Sequence, residues 1–148
     1  MIQPHNPNQI RIGIVGLGYW GPNLARVLNS LDNCVVTVLC DRDPDRLKAF
    51  GKKYPMALTS MDAADIMTTE HVDAIIISTP TKTHYQLAQL ALTNGIHTFV
   101  EKPLATSTAE CDSLINLADA NDLKLFVGHI FLHSAPVATH AFGVLSRR

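Results

Sequence analysis

Ile10-Arg11-Ile12-Gly13-Ile14-Val15-Gly16-Leu17-Gly18-Tyr19-Trp20-Gly21 is the stretch whose reading decides the fold. Its first half is a short β-branched run, the composition of a strand. Its second half is a GxGxxG turn. From 23 to 31, apolar residues at Leu24, Val27, Leu28 and Leu31 fall on one helical face. Strand, glycine turn and helix therefore follow one another directly. A GxGxxG alone reads equally well as an ordinary glycine-rich turn. A second β-branched run, 35–39, ends at Cys40-Asp41. That places an acid at the spacing of about 20 residues that a dinucleotide-binding fingerprint asks for.

Each glycine has its own reason. Gly16 permits the tight turn, Gly18 lets the backbone approach a pyrophosphate, and Gly21 lets the helix pack closely on the strand. The N–H groups of the turn and the helix dipole then face the phosphates. Tyr19 and Trp20 lie inside the turn and are candidate cofactor contacts with it. Asp41 is placed to accept hydrogen bonds from the adenosine ribose. A P-loop does not fit, because Pro22-Asn23 stands where Lys-Ser/Thr is needed. NAD is the expected ligand, since a carboxylate repels a 2′-phosphate. NADP stays open, because Arg42 could stack on adenine, hold that phosphate, or be a solvated surface charge. Flavin and other nucleotides are the remaining ligand readings.

Outward from this unit the chain keeps alternating. Asp43-Pro44 reads as an N-cap with proline at the first helical position, opening a helix to about Tyr54. Residues 57–60 read as a weak strand and 62–67 as a short helix. The run 72–78 contains Ala74-Ile75-Ile76-Ile77, apolar on both faces, as in a strand covered on both sides. A helix over 83–93 stops at Asn94-Gly95, and 97–100 is a fifth strand. Ser107 with Glu110 forms a capping box for a helix to about Asn121. Residues 124–131 form a sixth strand. The fold class is therefore α/β, a doubly wound parallel sheet of about six strands, with the ligand crevice at the C-terminal strand ends. The domain boundaries read as a loose tail over 1–9, a dinucleotide-binding domain over 10–133, and an atypical tail over 134–148.

Composition narrows the classes. The chain has 148 residues, 47% of them apolar and 17% charged, with a formal charge of −1. That is enough for one domain with a hydrophobic core, and nothing in it suggests disorder. No basic block points to nucleic acid or an anionic membrane, and no apolar run approaches the ~18 residues of a span. Cys34, Cys40 and Cys111 have no CxxC spacing and each reads as a buried, reduced thiol, which fits a cytoplasmic location. His129 and His133 share a strand face, but no third ligand is near in sequence, so no metal is expected. His5, His71, His97 and His140 have no constellation around them.

Two further stretches stand at strand ends: Ser78-Thr79-Pro80-Thr81-Lys82-Thr83-His84 after the fourth strand, and Glu101-Lys102-Pro103-Leu104-Ala105 after the fifth. On physics alone the first is a connector with an early-helix histidine, and the second is an exposed ion pair before a helix. With the glycine turn, Gly95-Ile96-His97 and Val127-Gly128-His129-Ile130-Phe131, their order and spacing resemble the Gfo/Idh/MocA oxidoreductases over about 10–137. The run Gly18–Asn23 is similar to the branch acting on UDP-N-acetylhexosamines or related sugars.

The resemblance implies roles. The backbone from Gly16 to Gly21 holds pyrophosphate, and Asp41 and Arg42 surround the adenosine. Thr79, Pro80 and His84 border the cofactor. Glu101, Lys102 and Pro103 sit by the nicotinamide ribose, with Lys102 assisting proton transfer at a substrate hydroxyl. That is sensible chemistry, since losing a hydride from an alcohol carbon requires removal of the O–H proton. The implied activity is NAD(P)-dependent oxidation or reduction of a sugar or nucleotide-sugar. Family members continue into a second domain, a large open sheet with most substrate contacts and usually the oligomer interface. Residues 139–148 do not match that pattern, so a truncated member with the second domain essentially absent is expected. The apolar residues Val137, Phe142, Val144 and Leu145 suggest self-association. The rival readings are a non-catalytic dinucleotide-binding module and a remnant without ligand.

Overall fold

The β-branched run Ile10–Val15 becomes β1, near the middle of a six-stranded sheet, in the computed structural model, which describes residues 8–128. The other strands are β2 (Cys34–Cys40), β3 (Leu58–Ser60), β4 (Ala74–Ile77), β5 (His97–Glu101) and β6 (Leu125–Gly128). All neighbours pair in parallel, in the order β3-β2-β1-β4-β5-β6. The helices are α1 (Gly21–Leu28), α2 (Pro44–Lys53), α3 (His84–Thr93) and α4 (Thr108–Ala120). This is the doubly wound order. Successive connections from β1 and β4 run to opposite sides, so a crevice opens between their C-terminal ends.

The period of two along the strands fills two cores. Ile12, Ile14, Leu39 and Ile76 pack with Ala25 and Leu47 beneath α1 and α2. Val15, Val38, Ile75, Ile77 and Val100 pack with Ala88, Leu92, Leu114 and Ala118 beneath α3 and α4. The isoleucines of β4 are divided between the two, which is why that strand reads as apolar on both faces.

Local chemistry sets the helix ends. Asp43 accepts from the amides of Asp45 and Arg46 at 2.9 and 3.2 Å, capping α2. Gly95 adopts a φ of 76° beyond α3. The Ser107 hydroxyl accepts from the Glu110 amide at 3.2 Å. Glu110 reaches back to the Thr106 amide and hydroxyl at 2.9 and 2.7 Å, and these bonds hold its carboxyl below the usual range.

Three expectations need correction. Residues 62–67 form turns, not a helix, though Met67 does donate to the Ala63 carbonyl at 3.0 Å. Asp62 takes the Ala64 amide and Ser60 takes the Asp62 amide, and such local bonds compete with a segment too short to nucleate a helix. Helix α1 ends at Leu28, not Leu31. Its buried contacts are Gly21 and Ala25, while Val27 and Leu31 remain 46% and 48% exposed. Residues 81–83 form a 3₁₀ turn, so α3 begins at His84. The strand expected over 124–131 is described only to Gly128. Most of the loose N-terminal tail, His129 and His133, and the 134–148 tail lie outside the described residues.

Candidate dinucleotide site

The glycine turn is held from three sides. The Gly16 amide donates to the Cys40 carbonyl at 2.8 Å, tying the end of β1 to the end of β2. The Ser78 hydroxyl donates to the Gly16 carbonyl at 2.7 Å, tying it to β4. The Leu17 amide donates to Asp41 Oδ2 at 2.6 Å, a short charge-assisted bond to a side chain that is 10% exposed. Asp41 Oδ1 accepts the Asp43 amide at 2.9 Å. One carboxylate therefore organises both the turn and the start of α2. A carboxylate has about four lone-pair sites, so acceptor capacity remains for a ligand.

The glycines separate by what surrounds them. Gly16 has a φ of 97°, which a side chain resists. At Gly21 a Cβ would lie 2.0 Å from the Gly16 carbonyl oxygen, so α1 sits directly on the turn. Gly18 is different. The nearest atom to a Cβ there is Arg46 Nη1 at 3.7 Å, the tip of a flexible side chain. Protein packing does not explain the bare backbone at Gly18, whereas a ligand pressed against it does. Helix α1 starts with no side-chain cap and no acid in its first turn, leaving its positive end available to an anion. The residues present thus fit a pyrophosphate.

These features face a cavity of about 630 Å³. Of the expected residues, Gly16, Gly18, Tyr19, Trp20, Asp41, Arg42, Thr79 and Pro80 line it. The Tyr19 and Trp20 rings meet edge to face, 5.2 Å between centroids, and both are exposed. Sequence reading missed Arg46, Met61, Asp62 and Lys82, which also line the wall. Arg46 lies 3.7 Å from Asp41 and 3.3 Å from Asp43 Oδ2. The available signal was its place three residues after the Asp43 cap. Cys40 borders the cavity too, but burial first and then the carboxylates of Asp41, Asp62 and Asp65 push its thiol up to about 11. It is no nucleophile at neutral pH.

A second group stands at the end of β5, outside the cavity lining. Gly21 is buried beneath the turn. Glu101 is 6% exposed, and its Oε1 has no hydrogen-bond partner among the described residues. Lys102 and Pro103 are exposed and joined by a cis peptide bond. His84 is neither a surface residue nor a wall of the cavity. It is 1% exposed, with Nδ1 2.7 Å from the Pro103 carbonyl oxygen and Nε2 2.8 Å from that of Thr79. Among the described residues, no cluster of metal-ligating side chains occurs, and no helix is long and apolar enough to cross a membrane.

Comparison with known proteins agrees with this geometry. UDP-N-acetylglucosamine 3-dehydrogenase of Acidithiobacillus ferrooxidans is 31% identical over 82% of this chain and 37% of its own length. 2,7-Anhydro-N-acetylneuraminate hydratase of Escherichia coli is 32% identical over 82% of this chain and 32% of its own. The WlbA dehydrogenase of Bordetella pertussis, solved with NADH and UDP-GlcNAcA, superposes with a TM-score of 0.76 at 26% identity, covering 84% of this chain and 36% of that one. The chain spans about a third of the length of the curated relatives it matches. The profile of the Gfo/Idh/MocA oxidoreductase family, NAD-binding Rossmann fold, matches residues 10–129. With the strand order, the switch-point crevice and the glycine turn all in place, this chain belongs to that family.

Proposed function

We propose that the chain binds NAD, with NADP as the alternative, in the crevice between β1 and β4, as the cofactor half of a sugar or nucleotide-sugar oxidoreductase. The observation that carries this reading is Gly18, a cavity-facing position where protein packing leaves room for a side chain and a close-approaching ligand accounts for the glycine. The first-turn amides of α1 and the turn backbone from residue 18 onward take the pyrophosphate, since the Gly16 and Leu17 amides are already bonded within the protein. Asp41 accepts from the adenosine ribose with its remaining lone pairs. Arg42 and Arg46, which line the cavity with Asp41, would offset the carboxylate's repulsion of a 2′-phosphate. The unpartnered Oε1 of Glu101 is an acceptor suited to a hydroxyl of the nicotinamide ribose. When bound, the dinucleotide supplies hydride transfer at an alcohol or carbonyl carbon. Lys102, as catalytic residue, takes or returns the proton on that oxygen.

A second reading, a non-catalytic dinucleotide-binding module, is favoured by one observation. Lys102 is exposed and lies outside the cavity lining. One experiment orders the two. Trp20 is the sole tryptophan and lines the cavity, so its fluorescence reports binding of NADH and NADPH. Saturable quenching supports both readings, and its absence in a folded sample defeats both. NADH formation from NAD and a panel of nucleotide-sugars, lost in Lys102→Ala, supports the catalytic reading. Binding without turnover supports the module.

A further inference from the structure

His84 joins two segments that the sheet alone does not connect. One runs from the end of β4 through Thr79 and Pro80, along the cavity wall. The other is Lys102-Pro103, beyond the end of β5. Strands β4 and β5 pair through Ile77 and Val100, and the ladder ends there. Past that point, among the described residues, the polar contacts that cross the gap are those of the two ring nitrogens of His84, at 2.7 and 2.8 Å. Both partners are carbonyl oxygens, which only accept. The ring donates from whichever nitrogen carries the proton, and from both as imidazolium. Burying an imidazole without polar partners is costly, and here the partners offered to its two nitrogens lie on the two separate segments.

We infer that His84 is a positioning residue that clasps the cofactor-lining loop after β4 to the Lys102 loop after β5. It sets the distance between the nicotinamide end of the crevice and Lys102 while touching neither. The phosphate turn and Asp41 are held by bonds in which His84 takes no part, from Gly16 to Cys40, from Leu17 to Asp41 and from Ser78 to Gly16, so the clasp acts chiefly on the other half of the crevice. Its meaning for Lys102 rests on the proposed dinucleotide function, whereas the clasp itself does not.

The test uses the full chain with His84→Leu, which keeps the apolar bulk, and with His84→Gln and His84→Asn. The glutamine amide reproduces the reach of Nε2 toward Thr79, and the asparagine amide that of Nδ1 toward Pro103. Hydrogen–deuterium exchange of the ligand-free proteins is read first. In His84→Leu, peptides covering 78–83 and 101–106 exchange faster together, while β1 and α2 are unchanged. Each amide variant restores protection in its own loop. Faster exchange throughout the chain, or in neither loop, overturns the clasp. Binding is read second, with ADP-ribose and NADH as probes. His84→Leu weakens NADH on the order of tenfold, the scale of one or two buried hydrogen bonds, and leaves ADP-ribose within about twofold. Equal weakening of both ligands overturns the positional role. If the unsubstituted chain binds neither ligand, the proposed function fails, and the exchange data still decide whether the clasp exists.

Discussion

Alanine at Gly18 and alanine at Gly21 are the same change two turns of logic apart, and the structure assigns them opposite outcomes. At Gly21 the new Cβ would stand 2.0 Å from the Gly16 carbonyl oxygen, 1.4 Å inside the 3.4 Å at which ordinary contact begins. The obstacle is backbone, so α1 must shift. Helix propensity favours alanine by about 1 kcal/mol, but overpacking of this kind costs about 1–3 kcal/mol. With a main-chain obstacle the cost falls at the upper end, and a net loss of about 1–2 kcal/mol follows. At Gly18 the φ is not in the left-handed region, and the nearest atom is the Arg46 tip at 3.7 Å. Alanine there is tolerated or gains about 0.4–1 kcal/mol by restricting the unfolded chain. Its methyl, however, fills the face a pyrophosphate would approach. Loss of one charged hydrogen bond costs about 1.5–3 kcal/mol, about ten- to a hundredfold in Kd. Urea unfolding by circular dichroism measures the first quantity, and NADH titration of Trp20 fluorescence the second. Gly18→Ala should therefore be stable and binding-deficient, and Gly21→Ala unstable. A Gly18→Ala protein that binds NADH within about twofold of the parent would refute the assignment of that face to a ligand.

Other expected outcomes follow from the same geometry. Asp41→Ala removes the acceptor of the Leu17 and Asp43 amides, so stability falls by about 1.5–3 kcal/mol, read by denaturant midpoint, along with NADH affinity. Arg46→Ala lowers NADPH affinity by roughly tenfold and NADH affinity by less than about threefold, measured by paired titrations, because only the 2′-phosphate needs its charge. For Cys40 the folded thiol titrates near 11 against an ordinary 9.0. Between those values the unfolded chain gives up a proton that the folded chain keeps, so stability falls as pH rises from about 9 to 11, and it is unaffected below. Unfolding midpoints across that window should slope less in Cys40→Ala.

Much of the fold was legible because its signals are local and physical. Ala74-Ile75-Ile76-Ile77 has no polar face to turn toward water, and it lies between two helical layers. Asp43-Pro44 and Gly95 mark helix ends by hydrogen bonding and φ, which need no tertiary knowledge. Where local signals conflicted, the reading slipped. Residues 62–67 carry helical spacing at Ala63, Ile66 and Met67, all buried, yet Ser60 and Asp62 use the local amides in turns. Val27 and Leu31 fit the apolar stripe, but α1 ends at Leu28 and, with Gly21 seated closely on Gly16, it is Ala25 rather than Val27 that is buried. The cavity wall contributed by Met61 was not legible, because it depends on where the segment after β3 lies in the folded chain.

The candidate site divides along the same line. The half proposed to take phosphate is mostly backbone, a turn and the first amides of a helix, with one carboxylate that organises the turn and the start of α2. Backbone sites leave spaced glycines in the sequence, since each glycine answers a distance or a φ. The half at β5 is made of side chains whose purpose depends on what they face. His84 illustrates the gap. The residues alone suggested an early-helix surface position and the family resemblance a place bordering the cofactor, yet the ring is buried outside the cavity lining with both nitrogens facing carbonyl oxygens. Glu101 shows the reverse, an acceptor buried at the strand end and left unpartnered among the described residues. A burial of that kind is costly unless a donor arrives. In the proposed readings the two residues therefore carry separate meanings within one short cluster: His84 holds the frame, and Glu101 is the acceptor that a ligand hydroxyl would satisfy.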